Sequence, residues 1–184
     1  SEEYKKKLEA LEKKKESLEA ELSSLSKDFA LEKMVGRADT KRISDILLQK
    51  SKDSVYIDFV NIDIYNFKEK KWGKSRYLVF VLLPGNKPIV KLIDLSDKEG
   101  VDSHIRAYLE EMKRAREYGE LPRERILKAE AKALYDLLLK PIESYIKGKK
   151  HLYISPDGNL NLIPFEVLMT PEGKYLMEKY SITY

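Results

Sequence analysis

The spacing of apolar residues changes repeatedly along this chain, and each change restricts the backbone that can bury them. Tyr4, Leu8, Leu11, Lys15, Leu18, Leu22, Leu25 and Phe29 follow steps of 4, 3, 4, 3, 4, 3 and 4, the seam of a long heptad-patterned helix over residues 1–35. Lys15 is the polar intruder in that seam, and pairs such as Glu9 and Lys13 support the helix itself. Two readings stand: an oligomerisation or partner helix using Leu8, Leu11, Leu18, Leu22 and Leu25, or an amphipathic helix packed on its own domain. Gly36 then suits a helix end, and Asp39 or Thr40 an N-cap for a short helix from about Lys41 to Gln49.

From Ser54 the period drops to that of strands. Ser54 to Tyr65, Arg76 to Leu83 and Pro88 to Asp94 are rich in β-branched and aromatic residues. The turn signals between them, Lys70-Lys71-Trp72-Gly73-Lys74 and Pro84-Gly85-Asn86-Lys87, predict an antiparallel meander. Val55, Ile57, Phe59 and Asn61 share one face of the first strand. The second is apolar almost throughout after Arg76, as expected of a central strand covered on both sides.

A helical period returns over Ser96 to Tyr118, with Ile105, Tyr108, Leu109 and Met112 on one stripe and Gly119 as the stop. Pro122 opens a further helix reaching about Ile146, which Pro141 should bend or divide. A strand at His151 to Ser155, a tight turn at Pro156-Asp157-Gly158-Asn159, a helical turn from Pro164 and a closing strand to Tyr184 complete the pattern.

Composition excludes several classes of chemistry. None of the 184 residues is cysteine, which removes disulfides, thiolate metal sites and a cysteine nucleophile from this chain. Lys plus Arg number 35 against 31 Asp plus Glu, a net charge of +4. The signs are interspersed, even along the basic stretch from Arg106 to Lys132, so no nucleic-acid partner is expected. No run approaches the roughly 18 apolar residues of a membrane helix. A cytoplasmic protein without a membrane partner is the expectation. Abundant Lys and Glu with few Gly are the bias of proteins from hot environments.

No catalytic, cofactor-binding or metal-ligating residue stands out. His104 and His151 are the two histidines, one among charged residues of a predicted helix and the other opening a strand, and both read as structural. There is no Gly-x-Ser-x-Gly elbow, no phosphate-cradling glycine loop, and no further carboxylate spacing after Asp157 for a calcium loop. No cofactor is expected.

The last 50 or so residues carry an ordered series of motifs. Ala133 to Glu143 forms a helix ending in Pro141-Ile142-Glu143. Gly148 to Leu168 contains a strand, then Pro156-Asp157-Gly158, Leu160, Pro164-Phe165 and Leu168. Gly173-Lys174-Tyr175-Leu176-Met177-Glu178-Lys179-Tyr180 leads into the final strand. This series resembles the front portion of a CHAT domain. The resemblance implies a caspase-like α/β fold, a mixed sheet flanked by helices, preceded here by the long N-terminal helix, with residues 36–184 forming the N-terminal subdomain.

It also implies a cysteine peptidase whose histidine and cysteine belong to motifs downstream of Tyr184, so neither role carries over to a residue here. The expected role is structural or regulatory for a downstream catalytic half. The expected partners are the remainder of the same CHAT domain, tetratricopeptide repeats of the same parent, or a helical protein. The alternatives are an interaction module acting through the heptad helix, and a catalytically dead relic of the family. Both ends of the chain read as cut from something longer.

Overall fold

The computed structural model describes residues 7, 8, 10–15, 17, 18, 39–119 and 121–184. The chain divides into two units, Ser1–Arg42 and Ile43–Tyr184. In the first, the described residues between 7 and 18 are helical, and Leu8, Leu11 and Leu18 are exposed. Leu22, Leu25 and the rest of the expected long helix lie outside the described residues.

Helix α1 (Thr40–Lys50) begins where the cap residues predict: the Arg42 N–H donates to Asp39 Oδ1 at 2.8 Å. The meander comes next as β1 (Ser54–Ile62), β4 (Arg76–Leu83) and β5 (Ile89–Asp97), with a small hairpin of β2 (Tyr65–Asn66) and β3 (Lys71–Trp72) between β1 and β4. Helices α2 (Lys98–Tyr118) and α3 (Glu124–Leu138) succeed it. Pro141 interrupts the helical path after α3, leaving a 3₁₀ turn (Lys140–Ile142) and the short α4 (Glu143–Ile146). Strand β6 (His151–Ser155), three further 3₁₀ turns and β7 (Ser181–Thr183) end the chain.

The main sheet has the order β5-β4-β1-β6-β7. β5, β4 and β1 pair antiparallel, while β1, β6 and β7 run parallel. The fold is therefore mixed α/β, and the parallel half is built only when β6 returns beside β1 after the two helices.

Val55, Ile57 and Phe59 of β1, Tyr77, Val79 and Val81 of β4, and Leu152 and Ile154 of β6 are all buried on one face. Val101 and Ile105 of α2, Leu134 and Leu138 of α3, and Leu160, Phe165 and Leu168 of the 3₁₀ turns belong to the same core. The Phe59 and Phe165 rings stand 5.3 Å apart between centroids. Each buried aromatic or aliphatic side chain here contributes about 1.5–3 kcal/mol through removal from water.

The expectation that β4 is covered on both sides is corrected. Leu78 and Phe80 are only half-buried, and Val90 and Leu92 of the neighbouring β5 are exposed. The reason is that α2, α3 and the 3₁₀ turns all stack on one face of the sheet. On the other side α1 is held at the β4–β5 turn, where Ser44 Oγ donates to Gly85 O at 3.2 Å and accepts from Gly85 N–H at 3.0 Å. Two boundaries also move. β5 runs to Asp97, past the expected end at Asp94. α3 starts at Glu124, two residues after the proline expected to open it, with Arg123 at its cap position.

Candidate functional site

In a sheet containing parallel strands, loops at the carboxyl ends of those strands converge and commonly form the working edge. Here β1 ends at Ile62 and β6 at Ser155, and the turn Pro156-Asp157-Gly158-Asn159 lies at that edge. Asp157 caps the 3₁₀ turn Gly158–Leu162, its Oδ1 accepting from Gly158 N–H at 2.7 Å. Its Oδ2 accepts from the Asn61 N–H at 2.8 Å, which ties the end of β6 to the end of β1. One carboxylate thus serves as helix cap and strand clamp together.

Gly158 is required twice over. Its φ is +58°, and a Cβ there would lie 3.0 Å from Tyr77 Oη and 3.4 Å from Asn61 Nδ2. The turn is packed directly against the first residues of β4.

Beneath it lies a buried polar node. Tyr77 Oη donates to Asp102 Oδ1 at 3.0 Å and accepts from Asn159 N–H at 3.2 Å. Asn159 Nδ2 donates to Asp102 Oδ2 at 2.8 Å. The Lys98 ammonium pairs with the same Oδ2 and lies 5.7 Å from the centre of the Tyr77 ring. Asp102 is 2% exposed, and this set of donors gives both of its buried carboxylate oxygens a partner. Burial, then the bond to Asp102, pushes the Tyr77 hydroxyl well above the ordinary tyrosine value. It therefore stays neutral and works as donor and acceptor. Asn61 Oδ1 is buried with no hydrogen-bond partner, an acceptor available beside the loop.

The remaining motif residues are apolar supports. Leu160, Phe165 and Leu168 are fully buried. Pro164 precedes the 3₁₀ turn Phe165–Val167 with extended backbone and presents its ring to a shallow groove of about 440 Å³ shared with Pro156 and Tyr184. The Tyr184 hydroxyl accepts from Phe165 N–H at 2.8 Å and donates to Glu166 Oε2 at 2.6 Å. Burial and that carboxylate push it up to about 12.

The two histidines are not brought together. His104 Nδ1 meets Glu130 Oε2 at 2.6 Å between α2 and α3. His151 sits at the start of β6, stacked on Tyr153 with ring centres 4.4 Å apart, and its Nε2 meets Thr183 Oγ1 at 2.8 Å. That is the opposite end of β6 from the Asp157 turn. No group of three or more His, Asp or Glu side chains able to hold a metal occurs among the described residues, and none of their helices is long and apolar enough to cross a membrane.

Asp157, Gly158 and the apolar anchors stand out in the sequence, whereas Tyr77, Lys98, the clamp on Asn61 and the partners of Asp102, which the sequence marks only as an acidic residue near a helix start, do not. A signal was present for one of them. Asp102 is an acidic residue on the helical stripe side near Val101 and Ile105, where a buried charge demands partners.

No curated protein and no solved structure matches the chain. No more than residues 128–184, which contain the Asp157 turn and its apolar supports, match the family model of the CHAT domain, so this C-terminal segment is similar to a portion of a CHAT domain.

Proposed function

We propose that the chain is the non-catalytic N-terminal part of a CHAT-type, caspase-like cysteine peptidase of the cytoplasm, and that its task is to present a rigid strand-end edge to a downstream catalytic half. The observation that carries this reading is the pinning of Asp157 and Asn159, inside the matched segment, by Asn61, Tyr77 and Asp102, outside it. The meander and α2 are thereby built into the same edge as the family motif. With no cysteine among its 184 residues, the chain cannot itself supply a thiolate nucleophile. The remainder of the domain is its first partner under this reading, and tetratricopeptide repeats of the same parent a second.

The test reads the parent gene past the codon for Tyr184 and assays its full product on a mixture of fluorogenic peptides. A His-Gly motif followed by a cysteine-bearing strand end is expected, with cleavage abolished by a thiol alkylator and absent from this chain alone. A product lacking both residues would select the dead-relic reading instead, and cleavage by this chain alone would sink both.

A second reading, an interaction module, is favoured by the exposure of Leu8, Leu11 and Leu18 on helical residues. Light scattering with and without residues 1–33 tests it: loss of an oligomer on truncation is the expected sign, and the same monomer in both cases removes the idea.

A further inference from the structure

The connection between β1 and β4 is a braced arm. Tyr65 pairs across the hairpin with Trp72, and Asn66 with Lys71. The Tyr65 ring meets Phe67 and Trp72 edge-on, each at 5.1 Å between centroids. At the base, Gly73 N–H donates to Ile64 O at 2.6 Å, and a Cβ on Gly73 would come within 3.1 Å of that same oxygen. Ser75 Oγ donates to Asp63 Oδ1 just below.

This bracing holds large apolar rings in water. Phe67 is 84% and Trp72 68% exposed, so the stabilisation that burying these rings would give is left unused. Around them stand Lys68, Lys70, Lys71 and Lys74 against Asp63 and Glu69, four positive charges less two negative, or +2. A polar groove of about 380 Å³ opens at the foot of the arm, lined by Lys74 and Ser75 together with Lys98 and Glu99 at the start of α2.

We propose that this arm docks an acidic polypeptide segment bearing apolar side chains, the apolar groups covering Phe67 and Trp72 and the carboxylates facing the lysines of the arm. The net positive charge selects an anionic occupant. Glu69, held by Lys71 at 2.7 Å, and Glu99, which lines the groove together with Lys74, break up the continuous cationic field that a phosphate backbone or an anionic bilayer would require. The rings pack edge-on into a compact knob, which suits a side-chain contact better than a flat platform for successive bases. The arm issues from the carboxyl end of β1, the edge that also carries the Asp157 turn. That this edge faces a catalytic half rests on the function proposed above, whereas the docking itself does not.

Trp72 is the only tryptophan in the sequence, so its emission reports on the arm without a label. The intact chain is titrated with a synthetic peptide alternating glutamate with leucine and phenylalanine, and with a counterpart carrying glutamine for every glutamate. A saturable blue shift with the first peptide and little with the second is expected. Binding should be about tenfold weaker in Lys68→Glu/Lys70→Glu, and also weakened in Phe67→Ser, with unchanged far-ultraviolet circular dichroism in both variants. An absent shift, an equal response to the glutamine peptide, or a response to single-stranded oligonucleotide or phosphatidylserine vesicles but not to peptide would each overturn the proposal. A parent product without a catalytic dyad would remove the proposed peptidase role and leave this binding untouched, so the two failures are distinguishable.

Discussion

Replacing Gly158 by alanine tests how tightly the turn after β6 is built into the rest of the fold. Two costs are separable. A non-glycine residue at φ +58° in the left-handed region costs roughly 1–2 kcal/mol. The new Cβ, 3.0 Å from Tyr77 Oη, also has to displace a hydroxyl that donates to Asp102 and accepts from Asn159 N–H, and weakening those bonds adds about 1–2 kcal/mol. The sum is about 2–4 kcal/mol. At a urea dependence of about 2 kcal/mol/M, the unfolding midpoint should fall by about 1–2 M. Gly173→Ala is the control, because its φ is +77° with nothing within 4 Å of an added Cβ. That variant carries the backbone cost alone, so its midpoint should fall by about half as much. In a Tyr77→Phe background, where the obstructing oxygen is gone, Gly158→Ala should cost no more than the control, a coupling of about 1–2 kcal/mol. If Gly158→Ala and Gly173→Ala agree within about 0.5 kcal/mol in the native background, the packed contact is not what the turn depends on, and the reasoning fails.

Glu111 supplies a pH test. The side chain of Arg123, then its backbone N–H, holds the Glu111 carboxyl down from the ordinary 4.5 to about 2. A depressed acid stabilises the fold above its unfolded value and loses that contribution as pH falls toward the folded one, so wild type and Arg123→Met should differ in melting temperature at pH 7 and converge between about pH 4.5 and 2. The opposite sign holds for Tyr77, Tyr135 and Tyr180, whose hydroxyls are all raised, first by burial. Their contribution is complete below pH 10 and is lost as pH rises further, so absorbance at 295 nm should show these groups ionising only with alkaline unfolding; ionisation in a still-folded chain contradicts the burial argument. Phe165→Ala empties a fully buried site beside Phe59 and should cost about 3–5 kcal/mol in a denaturant titration.

Local periodicity and turn chemistry by themselves determined most of the elements. Alternation marked Val55, Ile57 and Phe59 as a core face, Asp39 capped α1, Pro141 divided a helix, and Gly158 and Gly173 marked backbone that only glycine adopts readily. These features depend on residues close together in the chain, so their pattern can be read from neighbours alone. The order of motifs from Ala133 to Tyr184 likewise pointed to the segment that matches the CHAT family model.

The tertiary structure alone decided which face of β4 is covered and what holds the Asp157 turn. Tyr77, Lys98, Asp102 and Asn159 are spread across more than 80 positions of the chain, and they meet only because β6 returns parallel to β1 while α2 runs back over the same face of the sheet. No local spacing encodes that meeting. It arises from strand register and from where two helices stack, and a buried carboxylate such as Asp102 is tolerable only after that stacking has delivered its donors.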